Sequence, residues 1–181
     1  MGHEYLGITS FTGRYRWLSN FWTVTVRGTD GRPYRTVEHG YVAAKCMFVT
    51  DRIAVQALHT PGAAKRFGRN VRLRPEWAAE GFRLLIMKML LIQKFADPTL
   101  RSELLETGGM PLIEGNTWGD TFWGESPLGT GSNHLGKLIM RIRDDLMRTE
   151  LLNYTPEALD QDTWTDPYVG DDEWKYYGKG V

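Results

Sequence analysis

The segment 75–95, PEWAAEGFRLLIMKMLLIQKF, limits the fold more than any other part of this chain. It is helical in character throughout, with Pro75 suited to a first turn and no glycine or proline after Gly81. Trp77, Phe82, Leu85, Met89 and Ile92 fall roughly on one side at helical spacing, with Glu80, Arg83 and Lys94 off it. So wide an apolar face needs partners on several sides, which makes this the expected central helix of a single core. Lys88 interrupts its longest apolar run, 84–92, which is also too short to span a bilayer.

The other segments supply the partners. TVTV at 23–26, a turn at Asp30-Gly31 and a return over 34–37 read as a β-hairpin. Thr36 then caps an expected helix over about 37–48, followed by a short helix over 52–58 and a third that opens at Pro61 and stops at Gly68. A helix over 98–107 ends at Gly108-Gly109, and MPLIE suggests a short strand. The last long helix, 134–151, places Leu135, Leu138, Ile139, Ile142 and Leu146 at core spacing. This order of elements predicts an α+β fold, mostly helical, with a small antiparallel sheet. Residues 1–150 read as one domain, and 151–181 as an acidic, aromatic C-terminal extension with a short possible helix at PEALDQ.

Charge is balanced overall but unevenly placed. Residues 1–100 carry 15 Lys and Arg against 7 Asp and Glu, whereas 149–181 carry 2 against 8. An anionic ligand on the basic part is one explanation, and a solvated mixed surface is the blander one. A single Cys46 excludes an intramolecular disulfide, and no Cys/His spacing suits structural zinc, so no metal is expected and a reducing, cytoplasmic setting is. The N-terminus lacks the basic start and apolar run of a signal peptide, and no membrane association is expected.

Four groups could carry chemistry. On the first helix Glu38 and Lys45 lie seven apart, within about 20° of one direction, with Tyr41 beside the stripe and small apolar residues around it. Half-burial there would raise the carboxyl pKa and lower that of the amine, the tuning an acid/base pair or an amine nucleophile needs. His39 points about 100° away and reads as a packed or exposed histidine. The 115–133 stretch is long for a loop without periodicity, and such loops tend to be functional. In it, Asp120, Trp123 and Gly124 offer a second carboxylate and a flat aromatic face, suited to a sugar or base, although a loop tryptophan often only plugs the core. GSNHLGK, 131–137, fits a phosphate-loop pattern except that Leu138 replaces the metal-binding hydroxyl and no strand precedes it. Free N–H groups at this helix start could still hold a phosphate. Finally Lys65, Arg66, Arg69, Arg72 and Arg74 form a basic cluster that either contacts phosphates or is simply solvated.

Read in order, FTGRYRWLSNF, TVEHGYVAAK, AAKRFGR, LLETG, LIE, DTFWG and GSNHLGKLIMRIR resemble the YbiA-like or NADAR (NAD- and ADP-ribose-associated) domain over about 11–146. The resemblance implies N-glycosidase activity on ribosyl–nitrogen bonds. Two substrate classes go with it: ADP-ribose attached to guanine in nucleic acid or nucleotides, which the domain removes, and phosphoribosylamino intermediates of early riboflavin synthesis. Matched position by position, the EH-x-Y-x-x-x-K motif falls on Glu38, His39, Tyr41 and Lys45, and LSNF brings in Asn20 and Phe21. The loop motif falls on Asp120, Trp123 and Gly124, and N-x-LG on Asn133 and Gly136. The loop before Asp120 is slightly longer than the family pattern, and the tail after 150 has no counterpart in it.

The expected mechanism has Lys45 attack the anomeric carbon through an imine while Glu38 shuttles protons. Asp120 would orient the sugar, Trp123 would stack on it, and Gly131 to Gly136 with Arg69 would take the phosphates. A rival has Glu38 activate water directly. No cofactor is expected. A non-catalytic reader of ADP-ribose or NAD is the alternative from a different class, made less attractive by the presence of both Glu38 and Lys45.

Overall fold

A computed structural model of the chain describes residues 7–151. The tail and its short helix at PEALDQ lie outside the described residues. A 3-10 helix, Gly13–Leu18, leads into strands β1 (Val26–Arg27) and β2 (Pro33–Tyr34). Helices α1 (Val37–Lys45), α2 (Val49–Ala57) and α3 (Pro61–Phe67) follow, then a 3-10 turn, Pro75–Ala78, and α4 (Glu80–Lys94). Helices α5 (Pro98–Glu106) and α6 (His134–Leu151) complete an α+β fold with one small antiparallel sheet.

The hairpin forms where expected but is shorter, pairing Val26 with Tyr34 and Arg27 with Pro33. Its turn is held by Asp30, whose carboxylate accepts from the Tyr34 hydroxyl and from Arg32. Helix α1 starts as read, with the Thr36 hydroxyl accepting from the His39 N–H at 3.3 Å. It ends at Lys45 rather than 48 because the chain then pairs with a distant segment: Cys46 bridges Leu73, Met47 N–H donates to Arg72 O and Arg74 N–H to Lys45 O. Tertiary pairing overrides local helical preference there. MPLIE is likewise no regular strand. Ile8 and Leu112 form an isolated parallel bridge, and Gly115 and Glu125 another, so 112–116 is wedged between two short edges.

The expected 75–95 helix is two pieces. Residues 75–78 form the 3-10 turn, Ala79 is extended, and α4 begins at Glu80. Its buried face is also rotated from the one the spacing suggests: Leu84, Ile86, Met87, Leu90 and Leu91 are buried while Met89 and Ile92 are exposed. A helix apolar almost all round leaves periodicity unable to choose its inner face. Helix α4 packs against α1, α6 and β1 and is central, as expected. Lys94, expected off the core side, is wholly buried and donates to Leu18 O at 2.9 Å and Ser19 O at 2.8 Å. It thereby ties the end of α4 to the loop that carries Asn20 and Phe21. Helix α6 buries Leu135, Leu138, Ile139 and Ile142, and its buried Arg143 donates to Thr107 Oγ1 and Met110 O, fixing the chain just before 112–116. Among the described residues, no helix is long and apolar enough to cross a membrane.

Candidate active site

A cavity of about 270 Å³ opens between the N-terminal half of α1, the 11–21 segment, α3 and the loop 114–123. Glu38 and Leu135 line it, together with Arg16, Asn20, Phe21 and Lys65. Glu114, Asn116, Trp118, Asp120 and Trp123 add the loop's share of the lining. A wider hollow of about 750 Å³ adjoins it, sharing Thr12, Asn116 and Trp118. Apart from Glu125, that second hollow presents hydroxyl, amide and apolar groups rather than charge.

Glu38 sits in the first turn of α1, its N–H donating to Asn20 O at 3.1 Å. A helix N-terminus favours an ionised carboxylate. Burial outweighs it: desolvation lifts the Glu38 pKa to about 7, against the pull of Lys65 and Lys45 and with help from Asp120. Glu114 is raised to about 7 as well, again first by burial and then by Asp120, with Lys65 and Lys94 opposing. Two carboxyls poised near neutrality thus flank one cavity, with Asp120 influencing both.

Asp120 is held at both ends. Asn116 Nδ2 donates to its carbonyl at 2.8 Å, Asn116 Oδ1 accepts its N–H at 3.0 Å, and its own Oδ1 accepts the Trp123 N–H at 2.9 Å. Trp123 stands edge-on to the Tyr41 ring at 5.4 Å, and Tyr41 rests on Trp77 at 4.8 Å. Tyr41 is therefore a buttress behind the aromatic wall, its hydroxyl pKa raised chiefly by burial. Gly124 is required by close packing, since a Cβ there would lie 2.2 Å from Glu114 O and 2.5 Å from Asn116 Nδ2.

Several sequence expectations change place. Lys45 is half-buried, its pKa lowered by burial, but it does not line the cavity: its Nζ rests against Gly68, where an added Cβ would lie 3.0 Å away. The amine that does line the cavity is Lys65, whose Nζ sits 5.9 Å from the centre of the Phe21 ring. Arg69 is exposed and outside the cavity; the arginine that lines it is Arg16. The expected phosphate turn at 131–136 is structural. The Ser132, Asn133, His134 and Leu135 N–H groups donate to carbonyls of Thr121, Gly124, Phe122 and Trp123. Asn133, in the left-handed region at φ 47°, accepts from Glu114 N–H and donates to Leu112 O. Gly131 packs against the Gly124 carbonyl, and a Cβ on Gly136 would lie 2.1 Å from Leu112 O. These residues clamp the loop to α6, and the N–H groups from 132 to 135 are spent on that clamp rather than on an anion. His39 is buried, with Nδ1 bonded to the Thr36 hydroxyl at 2.8 Å and Nε2 to Leu58 O at 3.2 Å, and burial lowers its pKa, which makes it a neutral packing residue.

Sequence reasoning gives Glu114, Arg16 and Trp118 no role. Glu114 stands out only within the LIE motif, and no periodicity marks a side chain on an irregular segment. Lys65 is, in the sequence, one of five similar charges. Among the described residues, no group of three or more His, Cys, Asp or Glu could hold a metal ion.

The NADAR domain profile matches residues 9–147. The chain is 35% identical over 134 residues to the N-glycosidase YbiA of Shigella boydii, a match spanning 71% of this chain and 80% of that protein. It is 33% identical over 135 residues to a riboflavin biosynthesis protein of Vibrio vulnificus, spanning 71% of this chain and 35% of that one. The NMR structure of Escherichia coli YbiA superposes with a TM-score of 0.70 at 31% identity, covering 83% of this chain and 89% of that chain.

Proposed function

The chain belongs to the NADAR domain family, and on that footing we propose that it is an N-glycosidase that hydrolyses a ribose–nitrogen bond. The observation that carries this reading is Glu38: a buried carboxyl that lines a cavity, with a pKa near 7, able to take and return a proton at physiological pH. The names of relatives such as the YbiA N-glycosidases support the same reaction class. Glu38 accepts a proton from water as the water oxygen bonds to the anomeric carbon. The electron pair of the breaking carbon–nitrogen bond goes to the leaving nitrogen. Asp120, held in place by Asn116, faces the positive charge that gathers on the ribose ring, and Trp118 and Trp123 offer stacking surfaces. Arg16 and Lys65 are the cations for a phosphate.

ADP-ribosyl-guanine, in nucleic acid or as a nucleotide, is the preferred substrate. The adjoining hollow of about 750 Å³ gives a large ligand room beyond the carboxylates, where a small phosphoribosyl compound would need only the inner cavity. Hydrolysis of phosphoribosylamino intermediates of riboflavin synthesis is the alternative, favoured by the riboflavin-pathway relative. Incubation with ADP-ribosylated guanine oligonucleotides, and separately with the phosphoribosylaminopyrimidine, is expected to release ADP-ribose in the first case with much the higher kcat/KM. Consumption of the second alone would reverse the preference. The water route is favoured over attack by Lys45 because Lys45 does not line the cavity. Borohydride added during turnover is expected to leave no adduct there; a reduced adduct at Lys65 would instead implicate the amine that does.

A further inference from the structure

Glu114 is the one carboxylate at the cavity to which the mechanism above gives no task. Its backbone is fixed on three sides: its N–H donates to Asn133 Oδ1 at 3.1 Å, its carbonyl accepts from Glu125 N–H at 3.0 Å, and Gly124 leaves no space behind it. The side chain is therefore carried on a rigid base. Yet its Oε2 is buried and has no hydrogen-bond partner among the described residues. Leaving a buried carboxyl oxygen without a partner is costly, and such groups call for a functional reason. Among buried side-chain atoms of this kind in the described residues, the only other one on a cavity-lining residue is Asn20 Oδ1.

We propose that Glu114 is the leaving-group acid of this site, donating its proton to the ribose-linked nitrogen while Glu38 receives the proton of the attacking water. The inference rests on the N-glycosidase reading. In the step, the water oxygen bonds to the anomeric carbon and one of its protons passes to Glu38. The carbon–nitrogen pair moves to nitrogen, and the Glu114 O–H bond breaks to protonate it. The products are the free sugar and a neutral amine or base, with Glu38 protonated and Glu114 ionised; solvent exchange resets the pair.

The neighbours divide the two roles. Around Glu38 the fields of Lys65 and Lys45 each exceed that of Asp120, which favours the ionised form a base needs. Around Glu114 the order is reversed: the field of Asp120 exceeds that of either Lys65 or Lys94, which helps the proton stay. Arg16 lines the same cavity, and Glu125 pairs with the Glu114 segment through backbone groups only. A nitrogen such as the exocyclic amine of guanine leaves poorly as an anion and needs such a donor. A pyridinium nitrogen carries its positive charge already and does not.

The test compares wild type and Glu114→Gln on two compounds with the same sugar, ADP-ribosyl-guanine and the pyridinium compound NAD+. On the guanine compound kcat is expected to fall at least about 100-fold, in the range for loss of a general acid, with KM changed by less than about threefold. The loss on the pyridinium compound is expected to be at least tenfold smaller. The kcat/KM profile of wild type should fall on the alkaline side as Glu114 ionises, and Glu114→Gln should lose that limb while keeping the acid limb of Glu38. Equal losses on both compounds, or an alkaline limb unchanged in the variant, would overturn the assignment. If wild type does not turn over the pyridinium compound, the pH profile alone decides. A thermal melt checks folding; if the glutamine variant does not fold, Glu114→Asp takes its place. It should keep the alkaline limb with kcat reduced at least tenfold, and an unchanged kcat would refute the role. If wild type releases no base from any ribose–nitrogen compound, the N-glycosidase reading itself falls, a different result from a wild type that works and a variant that works equally well.

Discussion

Replacing Glu38 by Gln should make the protein more stable while it removes activity, and the size of the gain follows from burial. In the unfolded chain the carboxyl titrates near 4.5; in the fold it titrates near 7, chiefly because burial penalises its charge. The folded state thus holds a proton that the unfolded state has released. The stabilisation this represents is fully present below 4.5 and is lost as pH rises through 7. A displacement of about 2.5 pKa units corresponds to about 3 kcal/mol, so above pH 7 the ionised carboxylate weakens the fold by roughly that amount. A glutamine side chain has nearly the same shape and no charge. At pH 8 the variant should therefore gain about 3 kcal/mol, raising Tm by about 6–12 °C for a chain of this size, and at pH 5 less than about 1 kcal/mol. Lys94, whose pKa is lowered to about 7 by burial, gives stability an opposite slope between 7 and 10.5, but it is common to both proteins and cancels in the difference. Thermal melts of both proteins at pH 5 and pH 8 read the effect directly. A variant gain that is equal at the two pH values, or a variant less stable at pH 8, would refute the claim that Glu38 is a desolvated acid. Activity of the same variant should fall about 10²- to 10⁴-fold.

Three further outcomes are expected. Gly136→Ala would place a methyl 2.1 Å from Leu112 O and should cost about 2 kcal/mol or more in urea unfolding, because neither the carbonyl nor α6 can move without breaking the Asn133 clamp. Lys65→Met should raise KM for a phosphate-bearing substrate about tenfold and flatten the dependence of kcat/KM on ionic strength, as expected when a cation–phosphate contact is lost. Asn116→Ala removes the two bonds that hold the Asp120 backbone, leaving the Trp123 N–H on its carboxylate, and should lower kcat about tenfold with a Tm loss of only a few degrees; an unchanged kcat would mean that Asp120 needs no such support.

The parts of this molecule legible in sequence are those set by local chemistry. Thr36, Pro61 and the Asp30-Gly31 turn mark element boundaries through their own side chains and backbone preferences, and they do so correctly. Helix α6 shows a clean apolar stripe, and its buried residues follow that stripe. The readings that shift are those decided by distant partners. Helix α1 stops early because 72–74 pairs with it, and α4 turns its inner face by a register that an almost uniformly apolar sequence cannot encode. In the site, Glu38 is legible as a charge stranded among small apolar residues. The amine that lines the cavity is not, because seven residues along one helix is a statement about direction, whereas Lys65 comes from a separate helix packed on α1. The 131–136 turn resembles an anion site since its N–H groups are free in any local view; only the returning 121–124 carbonyls show them taken.

The proposed N-glycosidase reaction gives the arrangement of charges a reason. Three carboxyl groups around one cavity of about 270 Å³ would repel one another severely if all were ionised. With Glu38 and Glu114 both near 7, the free protein relieves that repulsion by holding protons on these two. A ribose whose anomeric carbon is becoming positive reverses the balance, because each negative charge nearby then stabilises it. Ionisation of Glu114 as its proton leaves for the nitrogen coincides with the greatest positive charge on the sugar. On the N-glycosidase reading, the proton that Glu114 holds in the free protein is thus the one the reaction delivers to nitrogen, and the repulsion between the carboxylates is compensated when the carbon–nitrogen bond stretches. A neutral substitute at either glutamate relaxes the free protein and deprives the transition state of that compensation. Stability at alkaline pH and turnover should therefore change in opposite directions in Glu38→Gln and Glu114→Gln alike.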